Sequence, residues 1–506
     1  MKNHKLRFLM PFLLISLLFW SCTNLEENPV GVLTPDDFLK TEAELLAAVI
    51  PVYASLRDNS NTASYPNLQE LTSDEMAFPQ RHEVLFGRLQ AHTWTPYNGT
   101  VDRAWTDAYR GIARANATLD LLAQSTSESA LIPIFMAEVR FLRAFYYWWL
   151  VDLFGGVPIV TAATADSDNP PQQNTRQEVF DFSVAEITAA LPDLEESFGA
   201  DNYGRVTKGA AHALLATLYL NAEVYTGTPM WNECVQACDA VINSGRYDLL
   251  PNYPDVFALD NEGPGNMENI FVVGHLPEGV VGFTRQMATL HYNQLPQTPW
   301  NGFAVLADFY NKFDTTDVRF NQLLVGPQLV LAGPNAGQQA FERQGDSLIF
   351  TVEFPLSGAA EGSGVRILKW PVDPNQSGGN SGNDLAIFRY AHILLTKAEA
   401  LNEMMGPNQE SIDLINQVRE RAFEPDKPIA LADFGSTQAL RDRILDERGF
   451  ELLWESFRRQ DLIRTGHFLE AWTLKEASDG PHRKLFPIPR RQLDANPNLV
   501  QNPGYW

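Results

Sequence analysis

Three glutamates near the C-terminal end have the residue type and spacing of catalytic carboxylates. Glu447, Glu451 and Glu455 recur every four residues, so they share one face if the segment is helical. Two such carboxylates across a cleft, about 5–10 Å apart, could serve as the acid and base of a glycoside hydrolase. Arginines crowd the same segment, at Arg448, Arg458, Arg459 and Arg464. Because nearby arginines lower the pKa of a carboxyl group, the pattern favours structural ion pairs over catalysis.

A second set of residues has the chemistry of sugar recognition. Aromatic rings can stack on the apolar C–H faces of a sugar, while planar polar groups bind its hydroxyls. Three stretches combine both types, namely TSDEMAFPQRHE, HTWTPYNGT and LHYNQLPQTPWNGF. The ligand contacts predicted from them are Asp74, Arg81, Trp94, Tyr97, Asn98, His291, Tyr292, Trp300 and Asn301. For each aromatic residue, packing within its own loop is the alternative.

Metal binding has weaker support. In DPNQSGGNSGND the ligand positions of an EF-hand calcium loop fall on Asp373, Asn375, Ser377 and Asp384. The preceding VRILKWPV has the pattern of a strand, whereas an EF-hand loop follows a helix, so a flexible polar loop is the alternative. Cys234 and Cys238 lie four residues apart on a predicted helix and are expected to be buried thiols. We predict no cofactor, and no metal site beyond this calcium candidate.

The elements that must position these residues are predicted to be mainly α-helical. VTKGAAHALLATLYLNAEVY and WNECVQACDAVINSGRY form one predicted helix pair, and LAIFRYAHILLTKAEALNE and QESIDLINQVRERA form another. Small alanines beside a tyrosine make both pairs similar to tetratricopeptide repeats. Long irregular stretches separate the helices, at 58–102, 155–175, 246–306 and 325–384. We expect a single body of tetratricopeptide-like helix pairs with long irregular loops and a few short β-strands, such as NIFVVGH, LIFTVEF and VRILKW.

The stretch RFLRAFYYWWLVDLFGGVP, at 140–158, concentrates aromatic residues and could be a ligand platform, a membrane segment or core. Charged residues within it argue against a membrane span, namely Arg140, Arg143 and Asp152. Its apolar residues follow helical steps around much of the circumference, which is typical of a helix buried among other helices. We therefore predict a core helix that ends where Gly155 or Gly156 adopts a left-handed conformation.

Net charge and the N-terminal segment bear on the partners and the location of the protein. The 506 residues carry a formal charge of −24 and contain no basic run, which disfavours nucleic acid as a partner. The sequence opens MKNHKLRFLMPFLLISLLFWSC, a basic head followed by a short apolar run, which is the build of an export signal. Ser21 followed by Cys22 resembles the end of a bacterial lipoprotein signal, with cleavage before a cysteine that then carries lipid. A plain secretory signal is the alternative.

Several motifs together resemble the SusD/RagB family of Bacteroidetes surface lipoproteins. They include AWTDAYRGIARAN, AEVRFLRAFYYWWLVDLFGGVPIV, GRVTKGAAHALLATLYL, NMENIFVV, FRYAHILLTKAEALNE, ILDERGFELLWESFRRQDLIRTGHF and KLFPIPRRQLDANPNLVQNPGYW. The resemblance covers essentially the whole chain after the signal, in the order of the family. Gly449 stands where the family often has a second arginine, and Ser456 where a glycine often follows Glu455.

The resemblance implies a domain plan. Residues 1–21 would be the signal peptide, 22–33 a lipidated tether and 34–506 one SusD-like helical domain. Within that domain the N-terminal helical part would span about 34–245 and the C-terminal part about 270–506.

The resemblance also implies a function without catalysis. The family captures nutrient, usually glycan, at the outer surface of the outer membrane and delivers it to a SusC-type TonB-dependent transporter, over which the lipoprotein sits as a lid. The alternatives are a peptide ligand, as for RagB-type relatives, a glycoside hydrolase, or a purely structural lid that contacts no nutrient.

Overall fold

The structure, a computed structural model, describes residues 39–59, 64–79, 86–163, 168–259, 265–276, 282–355 and 357–505. The predicted signal peptide, the tether with Cys22, and Arg81 lie outside these residues, so those predictions stay untested. Across the described ranges, no helix is both long enough and apolar enough to cross a membrane.

Helices dominate the described residues. The α-helices are α1 (Glu42–Asn59), α2 (Ser64–Glu70), α3 (Gly87–Gln90), α4 (Gly99–Ala123), α5 (Leu131–Leu153), α6 (Arg176–Ala190), α7 (Lys208–Leu220), α8 (Ala222–Thr226), α9 (Trp231–Ile242), α10 (Arg285–Thr289), α11 (Ala307–Tyr310), α12 (Tyr390–Met405), α13 (Gln409–Glu420), α14 (Thr437–Leu452), α15 (Arg458–Thr465) and α16 (Arg490–Ala495). Short 3-10 helices lie at Leu191–Asp193, Ala200–Asn202, Tyr253–Phe257, Val318–Gln322, Leu431–Asp433 and Pro481–Lys484.

The strands are short and form antiparallel pairs. They are β1 (Met76–Ala77), β2 (Asn269–Val273), β3 (Ala304–Val305), β4 (Leu323–Leu324), β5 (Gly326–Pro327), β6 (Ile349–Phe350), β7 (Arg366–Ile367) and β8 (Leu385–Arg389). β1 pairs with β3, β2 with β8, β4 with β7, and β5 with β6. Each pair joins segments that are distant in sequence or separated by a long loop, so the strands tie the loops to the helical body.

The predicted helix pairs are confirmed, with one correction. α7 packs against α9, and α12 packs against α13, α14 and α9, so the two pairs share an interface. Cys234 and Cys238 are buried within α9, as expected. The segment LAIFR, however, was predicted as the start of a helix and is instead strand β8, because it pairs with β2. The helix begins only at Tyr390, after Arg389 in extended conformation.

Side-chain caps and a glycine define several helix ends. The side chain of Asn98 caps α4 by accepting hydrogen bonds from the backbone N–H groups of Thr100 and Val101, at 3.0 and 3.2 Å. Thr175 and Glu178 form a capping box at the start of α6. Past the end of α5, Gly155 takes a left-handed φ of 75°, which glycine adopts without steric cost.

The aromatic helix α5 forms the centre of the largest hydrophobic core. Its residues from Phe141 to Leu153 are buried, and it packs against α4 and α6. Gly111 of α4 lets the two helices approach closely, since a Cβ atom there would lie 2.5 Å from the ring of Tyr146. The prediction that this stretch is core is therefore confirmed.

Candidate functional site

Among the described residues of the first two loops, every predicted ligand contact except Tyr97 has a structural role. Trp94 is fully buried, and its Nε1 donates a 2.6 Å hydrogen bond to the hydroxyl of Tyr505. The prediction that Trp94 contacts a ligand is therefore wrong, because its ring belongs to the core. Asn98 is occupied as the cap of α4, and Asp74 pairs with Arg458 at 2.7 Å. Tyr97 remains 74% exposed.

Two of the residues predicted in LHYNQLPQTPWNGF, His291 and Asn301, are held by Glu361. The Glu361 carboxylate lies 3.0 Å from His291 Nε2 and accepts hydrogen bonds from the backbone N–H and Nε of Arg343, at 2.9 and 2.5 Å. Its backbone carbonyl accepts a 2.9 Å hydrogen bond from the side-chain amide of Asn301. His291 and Asn301 are fully buried, so they support the site rather than contact a ligand.

Three partly exposed aromatic residues are joined to these residues, the Glu361 frame, by chain adjacency or a hydrogen bond, and we call them the aromatic surface: Tyr292, Trp300 and Phe341. The Arg343 guanidinium lies 4.2 Å from the centre of the Tyr292 ring. Asn293 donates a 2.7 Å hydrogen bond to the carbonyl of Phe341, which links that residue to the same loop. Trp300 precedes Asn301 and is 40% exposed, while Phe341 is 48% exposed. Sequence reasoning missed Phe341, Arg343 and Glu361, because only the fold brings them to this loop.

Charges under the aromatic surface are fixed by hydrogen bonds. Burial lowers the pKa of His291, so the ring is neutral at pH 7. Its Nδ1 accepts from the N–H of Asn293 at 3.2 Å, which leaves the proton on Nε2, facing Glu361. Burial also lowers the pKa of Arg366 to about 9, and this guanidinium donates to Asn301 Oδ1 and to backbone carbonyls. The buried groups of His291, Asn301 and Arg366 thus form a hydrogen-bonded polar layer together with Glu361.

The glutamates of α14 and its end form ion pairs, as predicted. Arg319 lies 2.7 Å from Glu447 and 3.0 Å from Glu451, and Arg389 lies 2.6 Å from Glu451 and 2.7 Å from Glu455. Burial alone would raise the pKa of Glu451, but Arg421, Arg389 and Arg319 lower it below the ordinary value. A carboxylate held ionised by several arginines is a poor general acid. These residues therefore do not form the acid–base pair of a hydrolase.

The EF-hand-like spacing does not form a calcium loop. Strands β7 and β8 flank the segment, in place of the two helices of an EF-hand. Asp373 instead accepts hydrogen bonds from the N–H groups of Asn375 and Gly382, at 2.7 and 2.8 Å, and Asp384 accepts from the N–H of His275. Asn375 and Ser377 are exposed. Among the described residues, no group of three acidic, histidine or cysteine side chains is arranged to hold a metal ion.

Glu70 and Glu75 are a pair of buried acidic residues near the turn between α14 and α15. Glu70 accepts a 2.8 Å hydrogen bond from the N–H of Ser456, whose φ of 72° is left-handed. Burial raises the pKa of Glu70, partly offset by Arg285, and burial together with Glu70 raises the pKa of Glu75. The folded protein therefore binds more protons than the unfolded chain between the ordinary glutamate pKa, about 4.3, and the raised one.

The free energy of unfolding should consequently fall as the pH rises through that window. Glu70→Gln keeps the acceptor for Ser456 but cannot ionise. We expect its free energy of unfolding, relative to that of the wild type, to be about 1–3 kcal/mol higher at pH 8 than at pH 5. Urea denaturation at pH 5, 6, 7 and 8 measures this difference. The exposed Glu353→Gln serves as the control and should leave the pH profile unchanged. Parallel profiles for Glu70→Gln and the wild type would contradict the prediction.

Comparison with known proteins identifies the family. Residues 304–505 match the family described as "SusD family", and residues 26–220 match the one described as "Starch-binding associating with outer membrane". The chain is 27% identical to "SusD-like protein P2" of Formosa agariphila, over 100% of both chains. It is 26% identical to "Starch-binding protein SusD" of Bacteroides thetaiotaomicron, over 87% of this chain and 85% of the relative. The chain belongs to the SusD/RagB family.

Solved structures share the same fold. A "Laminarin binding SusD-like protein" superposes with a TM-score of 0.74 at 25% identity, covering 92% of this chain and 100% of that chain. A SusD-like carbohydrate-binding protein from Bacteroides fragilis superposes with a TM-score of 0.76 at 21% identity, covering 91% of this chain and 99% of that chain. The predicted fold class, mainly α with tetratricopeptide-like helix pairs, is confirmed.

Proposed function

We propose that this protein is a lipid-anchored surface protein of the outer membrane that binds a glycan and passes it to a SusC-type TonB-dependent transporter. Carbohydrate binding is supported by the relatives, of which one is named a starch-binding protein and another a laminarin-binding protein. The location is supported by the family description, which joins starch binding with association with the outer membrane. Cys22 is the proposed site of the lipid.

The aromatic surface is the single observation that carries the glycan proposal. Trp300 and Phe341 keep large parts of their rings exposed, and Tyr292 precedes Asn293, which hydrogen-bonds to the Phe341 carbonyl. Exposed rings next to guanidinium, carboxylate and amide groups meet both needs of a sugar, which has apolar faces and an edge of hydroxyls. The hydrogen bonds of Glu361 hold the frame before any ligand arrives, so little conformational entropy is lost on binding.

Charge favours a neutral glycan over an acidic one. The whole chain carries −24, which would repel a polysaccharide rich in carboxylate or sulfate groups. Arg343 is already paired with Glu361, so the cation beside Tyr292 is largely compensated. We therefore propose that a neutral polysaccharide is captured on this surface.

Trp300→Ala and Tyr292→Ala are each expected to weaken binding of the captured polysaccharide by about 5- to 100-fold. Aromatic residues at the centre of a binding site commonly contribute about 1–3 kcal/mol, and 1.4 kcal/mol corresponds to a factor of ten. Isothermal titration of the full-length protein against laminarin, soluble starch, xylan and mannan identifies the ligand and measures the loss for each variant.

Tyr97→Ala is the matched control for this experiment. Tyr97 is more exposed than Trp300, but it lies at the start of α4 and not on the Glu361 frame. Its replacement should leave the affinity unchanged, which would also overturn the ligand contact predicted for Tyr97. Wild-type affinity in both Trp300→Ala and Tyr292→Ala would show that the aromatic surface is not the binding site. Release of shorter sugars from any of the four polysaccharides would favour the hydrolase instead.

A further inference from the structure

A cavity of about 400 Å³ lies apart from the aromatic surface, and the proposed function leaves it unused. Its walls come from three places: residues 196–207 between α6 and α7, residues 245–247 after α9, and the segment that leads into and forms β2. None of these wall residues belongs to the aromatic surface or its Glu361 frame. Its volume is within the range of about 300–1,000 Å³ that is usual for small-ligand sites.

The cavity is lined by the two kinds of side chain that sugars require. Phe198, Tyr203 and Tyr247 are partly exposed aromatic residues in its wall. Asn269 lines the same space and donates a 3.3 Å hydrogen bond from Nδ2 to the Tyr203 hydroxyl. Its Oδ1 is buried and has no hydrogen-bond partner within the part of the chain that the structure describes. Rotation of this side chain toward the cavity would let a sugar hydroxyl donate to this acceptor.

Charged residues in the wall are already paired with other protein groups. Glu196 lies 2.9 Å from Lys208 and 3.7 Å from Arg246. The Arg205 guanidinium is paired with Glu138 and lies 4.4 Å from the centre of the Phe198 ring. Since the wall has no unpaired carboxylate or guanidinium, a charged ligand would gain no ion pair to offset its loss of water. The lining therefore favours an uncharged, hydroxyl-rich ligand.

We propose that this cavity is a second carbohydrate site, which takes one neutral sugar unit of hexose or pentose size. Tyr203 supplies the ring face and Asn269 the hydrogen-bonding edge. A site with so few contacts binds a free sugar weakly, with a dissociation constant in the millimolar range. On a long polysaccharide it adds a second attachment point, because occupation of one site raises the effective concentration of the chain at the other.

Ligand-observed NMR titration of the full-length protein tests this site. The probes are D-glucose, D-galactose, D-mannose and D-xylose, with triglycine as a peptide probe. At least one sugar should bind the wild type. Tyr203→Ala should weaken its binding at least 5-fold, and the double variant Tyr292→Ala/Trp300→Ala should retain it. Ser197→Trp, placed at an exposed position in the cavity wall, should block binding without disturbing the core.

Each contrary result is informative. If no sugar binds, or if only triglycine binds, the carbohydrate assignment is wrong. If a sugar binds equally well to Tyr203→Ala and to Ser197→Trp, it occupies another place on the protein. If binding is lost only in the double variant, the sugar lies on the aromatic surface, which would support the proposed function and overturn the second site.

Discussion

Glu451→Gln is expected to lower the free energy of unfolding by about 3–5 kcal/mol, the usual cost of removing one partner from a buried ion network. Glu451 is fully buried, and its carboxylate lies 2.6 Å from Arg389, 2.8 Å from Arg421 and 3.0 Å from Arg319. The amide of glutamine keeps the shape of the side chain but not its negative charge. The three buried guanidinium groups would therefore lose one of the carboxylates that balance their charge. Urea denaturation monitored by circular dichroism measures the loss.

Asp314→Asn is the matched control, because it removes the charge from an exposed pair. Asp314 lies 2.6 Å from Lys427, and both side chains are 44% exposed. Exposed pairs usually contribute less than about 1 kcal/mol, so this variant should unfold almost as the wild type does. A loss for Glu451→Gln no larger than that for Asp314→Asn would contradict the view that the buried network stabilises the protein.

The buried network also explains how the loops are held to the helices. Arg389 and Lys369 donate hydrogen bonds to the backbone carbonyl of Glu451, at 2.6 and 3.2 Å, and Lys369 donates to that of Leu453 at 2.9 Å. The last carbonyls of a helix have no partner within the helix, and here cations from β8 and the segment after β7 supply one. Strand β8 and the segment after β7 are thereby tied to the end of α14.

Features governed by local rules could be predicted from the sequence. The capping box at Thr175, the left-handed Gly155 and the helix pairs all depend on residues within one or two turns of each other. Ion pairing of Glu447, Glu451 and Glu455 was predicted, but its partners were not, because Arg319 and Arg389 come from distant segments. The arginines of the same segment pair elsewhere, for example Arg448 with Asp461. The position of Ser456 in a left-handed conformation also fits the glycine that the family often has there.

Features governed by distant contacts could not be predicted. Trp94 and Trp300 lie in similar polar, proline-containing stretches, yet Trp94 is buried because Tyr505 and Phe486, at the other end of the chain, pack against it. The continuous apolar pattern of LAIFR fits a helix or a strand equally well, and its pairing with β2 decides between them. Glu361 could not be assigned to the site, because sixty residues separate it from Asn301.

Trp149→Ala is expected to destabilise the protein by about 3–5 kcal/mol, the typical cost of removing a large aromatic side chain from a core. The Trp149 ring is buried in α5, stacked on Tyr65 with ring centres 4.5 Å apart and an interplanar angle of 15°. It also lies 5.0 Å from the ring of Phe145. Alanine would leave a cavity between rings that other helices hold in place, so the space could close only in part. Urea denaturation measures the loss.

Trp149→Phe is the matched control, and it should cost less than half as much. Among the described residues, the buried Nε1 of Trp149 has no hydrogen-bond partner, so phenylalanine removes an unsatisfied donor together with part of the ring. The same two variants also test the assignment of α5 to the core. If α5 were a ligand platform, Trp149→Ala would abolish polysaccharide binding while leaving stability unchanged. We expect the opposite. Both variants should lose stability, Trp149→Ala more than Trp149→Phe, and both should keep wild-type affinity wherever the protein remains folded.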